Sequence, residues 1–492
     1  MRAKSGDDAL SSLSRRALFK GVTAVGAVAA ASTVLPAAAF AQAAPRGIGT
    51  PGRRTVIRGG AVLSMDPAVG DFAKADVLME GKTIRQVAPG INAGDAAVID
   101  ARGMIVMPGF IDTHHHQFET PLRSHLAEAL LLPDGSPAVD YLSTLAKVAP
   151  LYRPRDAYIS ELLASLSQLD AGVTTVLDLS QIHHTPEHTD AVIKALLDAG
   201  RRATMAHSGD RKSQVGDVDR VQRQYFASND QLLSLAMGSE IGQPGWETTW
   251  NKGRALKLPI ASHVVGVFGG RNAFDRMATE GRFGPDNIFI HMTGMSDLAW
   301  RAAKAAGSSV SLAVPIEMSM RHGMPPILQA IEVGLQPSLS TDVECTMTAD
   351  LFTQMRSTLT LQRALVNQMA IEKRANVPAL LTSRDVIRFA TVEGARTLGL
   401  SDKVGTLTPG KEADIILLNA DAINVAPLNN VPGAVVRLME RSNVDTVLVA
   451  GKVRKWKGRL LDADLPRLRA EIEASRDYLF AAAKLDRNLF SS

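Results

Sequence analysis

Pro108-Gly109-Phe110-Ile111-Asp112-Thr113-His114-His115-His116 follows the apolar run Ile105-Val106-Met107 and ends in three consecutive imidazoles. Read as the end of a β-strand, its alternation puts His114 and His116 on one face and His115 on the other. Two imidazoles two residues apart at a strand end can share one metal ion. Whether they do depends on the rest of the chain.

Downstream, from 108 to 400, strand-like apolar runs alternate with helical stretches, the pattern of a parallel sheet with crossover helices. The strands fall at 106–113, 173–179, 203–207, 232–237, 260–265, 287–291, 310–314 and 337–341, with helices at 156–170, 189–199, 297–306 and 326–333. Eight such strands fit an α/β fold closed as a (β/α)₈ TIM barrel better than an open sheet. The segments on either side, 53–107 and 401–460, carry short β-branched runs punctuated by Gly, Asp and Pro. They read as two halves of one composite β-sandwich domain. A helical tail, 461–492, completes the chain, with one or two amphipathic helices expected at 464–489.

Barrels of this kind build their sites from the C-terminal ends of the strands. Strand 5 ends in Ala-Ser-His263, strand 6 in Phe-Ile-His291 and strand 8 in Ser-Leu-Ser-Thr-Asp342. Four imidazoles and one carboxylate therefore converge on one mouth.

With Asp350-Leu-Phe-Thr-Gln-Met-Arg and Val404-Gly-Thr-Leu-Thr-Pro-Gly-Lys-Glu-Ala-Asp, these residues give a chain that resembles the amidohydrolase superfamily. Within it, the chain is similar to the branch of cytosine, guanine and adenosyl-type deaminases and triazine hydrolases. The resemblance implies that His114, His116, His263 and Asp342 are the ligands of one divalent metal, zinc first, with iron or manganese as alternatives. It implies that Asp342 moves protons and that His291 stabilises the developing oxyanion. Deaminases of this branch carry a Glu three residues after the strand 5 His. This chain has Gly266 there, which leaves Glu317 as the expected replacement acid and Glu344 as a second candidate. No Lys stands at the end of strand 4 to bridge a second metal, and Glu240 is a weak substitute.

The other histidines (His125, His183, His184, His207 and His322) follow strands 1, 2, 3 and 7 and are as readily loop polarity as pocket lining. Phe118, Arg123 and Trp246 are further candidates to shape the pocket, with no motif behind them. Cys345, the only cysteine, cannot form an intramolecular disulfide and has no visible base to activate it.

Residues 1–41 read as a twin-arginine signal peptide: Arg15-Arg16, an apolar run from Gly21 to Phe40, and small residues around Ala39 and Ala41. The segment holds five basic and two acidic residues, so only +1 of the formal +4 would stay with the mature chain. That balance, with aromatics at 5%, points away from nucleic acid. The expectation is a periplasmic or secreted, homo-oligomeric enzyme with no stable membrane association after cleavage. It would hydrolyse a non-peptide carbon–nitrogen bond of a small molecule. A heteroaromatic deaminase and a non-catalytic metal-bearing binding protein are the alternatives.

Overall fold

The chain changes sheets at Gly109. Met104–Pro108 is one strand and Phe110–His115 another, in a different sheet. A Cβ at position 109 would stand 2.2 Å from the Thr174 methyl, so only glycine allows this close crossing. The single strand expected at 106–113 is therefore corrected to two. The computed structural model describes residues 47–134, 140–208, 215–487 and 489–490; residues 1–41, expected to be a signal segment, lie outside these described residues.

Eight parallel strands form the barrel: β1 (Phe110–His115), β2 (Val173–Ser180), β3 (Arg202–His207), β4 (Leu233–Glu240), β5 (Ile260–Val265), β6 (Asn287–Thr293), β7 (Ser309–Leu312) and β8 (Ser338–Leu339). They pair in sequence order from β1 to β8. The ring closes where Asp342 N donates to His114 O (2.9 Å) and His116 N donates to Asp342 O (2.8 Å). Strands β7 and β8 are shorter than expected, because Val314–Ser319 is already helix and 340–341 lie past the ladder.

Ile111, Leu177, Leu179, Ala236, Ala261 and Ile290, from five strands, share one apolar cluster inside the barrel. Ala395 and Leu398 reach it from around the helix Val392–Thr397. The helices Pro154–Asp170, Pro186–Ala199, Trp246–Ala255 and Asp297–Ala305 follow β1, β2, β4 and β6, as crossover connections require.

The flanks form one nine-stranded sheet. Ile415–Asn419, from the C-terminal flank, pairs antiparallel with Met104–Pro108, which also pairs with Arg54–Val62. Ile57, Val77 and Val106 from one flank share a core with Ile415, Leu417 and Leu448 from the other. The tail is one helix, Leu465–Ala483; Ser475 Oγ donates to Asp156 Oδ1 (2.8 Å), tying it to Pro154–Asp170. Among the described residues, no helix is long and apolar enough to cross a membrane.

Candidate metal centre

Strict alternation from Ile111, whose side chain lies in the barrel interior, would turn His114 and His116 outward. The ladder with β2 slips between Asp112 and His115, where three residues of β1 oppose two of β2. Such a bulge reverses the parity and swings both imidazoles into the mouth. A second irregularity acts on β6. Ile288 and Ile290 face inward, yet His291 also reaches the site, because His291 and Met292 take positive φ of 72° and 52°. Asp342, at φ 64°, leaves β8 the same way. Left-handed backbone at three non-glycine residues stores strain that the surrounding packing must hold.

The side chains converge. His263 Nε2 stands 3.3 Å from both His114 Nε2 and His116 Nε2. His114 Nε2 lies 3.0 Å from Asp342 Oδ1, and His116 Nε2 3.8 Å from the same oxygen. Two overlapping groups, His114–His116–His263 and His114–His291–Asp342, each place their ligand atoms within 4.8 Å of one another.

The donor set suits a divalent cation. His116 Nδ1 faces the carbonyl of Leu179 (3.2 Å), which can only accept, so that nitrogen carries the proton. His263 Nδ1 faces Glu240 Oε1 (2.8 Å), again an acceptor. In the neutral rings both Nε2 lone pairs then point at one another, and a proton or a metal ion must sit between them. Ligands about 2.0–2.1 Å from a tetrahedral zinc stand about 3.3 Å apart, the spacing seen here.

Burial pushes His114 down to about 4 and His116 well below the ordinary imidazole value, which keeps both neutral. Burial acts on His263 in the same sense, but the Glu240 carboxylate outweighs it and raises that ring. Asp342 is buried too, yet the hydrogen bond from His114 and the neighbouring rings hold its carboxyl well below the usual range.

Behind His291 stands Glu317. Its Oε1 lies 3.1 Å from His291 Nδ1 and accepts from Ala313 N (2.9 Å); Oε2 has no hydrogen-bond partner among the described residues. Burial raises this carboxyl well above its ordinary value. His291 Nε2 lies 3.6 Å from Asp342 Oδ2. Glu317 thus touches the far nitrogen of His291 rather than the point shared by the other ligands. Glu344 is taken up by Arg123, which donates through Nε and Nη2 at 2.7–3.0 Å.

The remaining sequence candidates scatter. His125 packs on Phe480, His184 Nε2 faces Ala149 O, and His207 pairs with Asp217. His183 stacks on His207 and bonds Thr189 Oγ1. Trp246 packs on Trp250 beneath Arg282. Phe118 does lie against His116, with ring centroids 5.9 Å apart.

Glu119 escaped the sequence reading, and Glu240 entered it only as a weak bridge to a second metal. Glu240 is the parallel-ladder neighbour of His263, a register that the strand lengths alone do not fix. Glu119 sits three residues past His116 in the short helix Gln117–Leu122; Tyr141 Oη donates to its Oε1 (2.5 Å), and burial raises it to about 8. The spacing His-x-His-x-x-Glu was the available signal. Cys345 lies beside Glu119, and burial pushes its thiol well up, so it is not a nucleophile at neutral pH.

The sequence model of the amidohydrolase family matches residues 105–243 and 283–454, more than half of the chain, including His114, His116, His291 and Asp342 but not His263. The chain belongs to the amidohydrolase family. Among relatives of this amidohydrolase, the 5'-deoxyadenosine deaminase of Methanosarcina mazei is 25% identical over 447 residues, 87% of this chain and 98% of its own. Two solved structures share the fold at a TM-score of 0.73. The adenosine deaminase of Xanthomonas campestris with bound zinc is 21% identical and covers 87% of this chain and 98% of its own. The triazine hydrolase of Arthrobacter aurescens is 20% identical and covers 86% and 99%. The protein is a metal-dependent hydrolase acting on carbon–nitrogen bonds, as its family membership implies.

Proposed function

We propose that this amidohydrolase cleaves a non-peptide, amide- or amidine-like carbon–nitrogen bond in a small molecule, using one zinc ion held by His114, His116, His263 and Asp342. The observation that carries this reading is His263 Nε2 at 3.3 Å from both His114 Nε2 and His116 Nε2, with Asp342 Oδ1 3.0 Å from His114 Nε2 and 3.8 Å from His116 Nε2. When bound, the cation supplies Lewis acidity and makes water a stronger acid at neutral pH.

Asp342, held anionic, takes the proton of the attacking water and delivers it to the leaving nitrogen. His291 faces Asp342 Oδ2 and donates to the oxygen on which charge develops. Glu317 is a positioning residue, because it sets the proton on His291. An acid at position 266 would be crowded: a Cβ there would stand 3.0 Å from Thr293 O and 3.2 Å from Gly294 Cα, so the backbone would have to shift by a few tenths of an ångström. This favours amides, lactams and carbamates.

A second reading, deamination of an aminated heterocycle, is supported by what the relatives are named for. Glu119 would then be the proton donor, being protonated at neutral pH and close enough to feel the charges of Asp342 and His263.

The test is metal analysis of the purified protein, then chelation and reloading with zinc. Turnover is screened on amides, lactams, carbamates, 5'-deoxyadenosine, adenosine and triazines. One zinc per chain and activity that returns with zinc are expected. A chain that binds no metal, or turnover that survives chelation, refutes the proposal. Ammonia release confined to the aminated heterocycles selects the second reading.

Export by the twin-arginine route to the periplasm or medium belongs to the same proposal, supported by Arg15-Arg16 and the apolar run behind them. Changing both to Lys should trap activity in the cytoplasm. Light scattering of the mature protein tests the expected homo-oligomer.

A further inference from the structure

His322 is 4% exposed, and neither ring nitrogen has a hydrogen-bond partner among the described residues. Buried polar groups are nearly always paired, and a fully orphaned imidazole points to a partner absent from the protein itself. Its place is specific. The ring meets His291 edge-on at 4.7 Å, in the loop after β7, and its electrostatic neighbours are His291, Asp342, His263 and His114.

The loop is shaped around it. Arg321 and Gly323, on either side, take φ of 59° and 118°. Gly323 lies against Thr293, whose hydroxyl is the nearest polar atom to a Cβ built at 323 (4.0 Å). Thr293 Oγ1 is itself fully buried and without a partner among the described residues. Two unmatched polar groups therefore stand beside the residue proposed to face the developing charge.

We infer that His322 and Thr293 form a polar subsite that binds the substrate next to its scissile bond, pairing with a neutral group that offers both a donor and an acceptor, such as an amide or lactam edge. A neutral imidazole has one N–H and one lone pair, and a hydroxyl can turn to donate or accept. Burial lowers the ring to about 3, so it offers a carboxylate or phosphate a hydrogen bond but no opposite charge. The subsite rests on the hydrolase reading above, and deepens it by naming what the substrate must present. His322 here is a specificity-determining residue.

The test has two arms. In the first, zinc-loaded wild type, His322→Ala and His322→Gln are compared on the best substrate from the screen. Zinc content should be equal in all three. His322→Ala should lower kcat/KM 10- to 100-fold, mainly through KM, and His322→Gln, which keeps a donor and an acceptor, should recover most of it. Unchanged kcat/KM in His322→Ala overturns the inference. The second arm needs no turnover: crystals of the zinc-loaded wild type are soaked in acetamide. A nitrogen of His322 bonded to acetamide, or to ordered water in the mouth, is the expected result. Both nitrogens bonded to protein groups would overturn it. Failure of every compound in the screen sinks the functional proposal and leaves the soak to decide the subsite.

Discussion

Glu317 Oε1 lies 3.1 Å from His291 Nδ1 while the same oxygen accepts the backbone N–H of Ala313. A carboxylic acid oxygen can accept from one neighbour and donate to the other, and burial raises this carboxyl well above its ordinary value, which favours the protonated form. Donation to Nδ1 leaves the His291 proton on Nε2, the nitrogen that faces Asp342. An amide cannot do both through one atom. Glu317→Gln should therefore lower kcat about 10- to 100-fold with zinc content unchanged. A variant with wild-type kcat would mean that Glu317 is a carboxylate accepting from Nδ1.

Glu240 orients a proposed ligand from outside the metal shell. Its carboxylate fixes the His263 ring through Nδ1. Removing such a partner weakens metal binding about 10- to 100-fold. Glu240→Ala should lose zinc at correspondingly lower chelator concentration, followed by competition with a fluorescent chelator. Equal retention would count against the role.

Position 266 is closed by the backbone of β6. Gly266→Ala must push aside Thr293 O or Gly294, a strain of about 1–3 kcal/mol. A lower melting temperature is expected, and Gly266→Glu should be less stable still without gaining deaminase activity. Gain of ammonia release by Gly266→Glu would show that the site can open there.

Acid should weaken the metal-free fold through its buried imidazoles. His322 stands at about 3 when folded against an ordinary 6.5. Between these values the unfolded chain binds a proton that the folded chain refuses, so stability falls as pH drops from 6.5 toward 3. One displaced proton is worth about 1.4 kcal/mol per pH unit. The groups facing the ring (His291, Asp342, His263 and His114) titrate in the same experiment, so wild type is compared with His322→Gln. A shallower slope in the variant, from urea melts across that range, is the expected outcome; identical slopes would refute it.

Much of this was legible in the sequence because it follows from period and position. The eight strands, the two flanks that join, and the five groups at four strand ends are all set by local pattern. What escaped is set by neighbours. Nothing in Asp112-Thr113-His114 announces the bulge that turns the imidazoles inward. The left-handed backbone at His291 depends on packing around β6 rather than on histidine's own preference. Glu344, the second candidate acid, is held by Arg123, 221 residues away in sequence. Glu317, expected from the sequence as a replacement acid, instead meets His291 Nδ1, a contact that depends on how the helix Val314–Ser319 leaves β7.

The pairing of Met104–Pro108 with Ile415–Asn419 also governs how the molecule can be made. During synthesis the first half of that sheet leaves the ribosome with a bare edge, and its mate arrives only after the whole barrel has been threaded between them. A nascent or C-terminally clipped chain carries a sticky strand looking for a neighbour, so chaperone dependence should fall only once Ile415–Asn419 and its own partner Val444–Val449 have emerged.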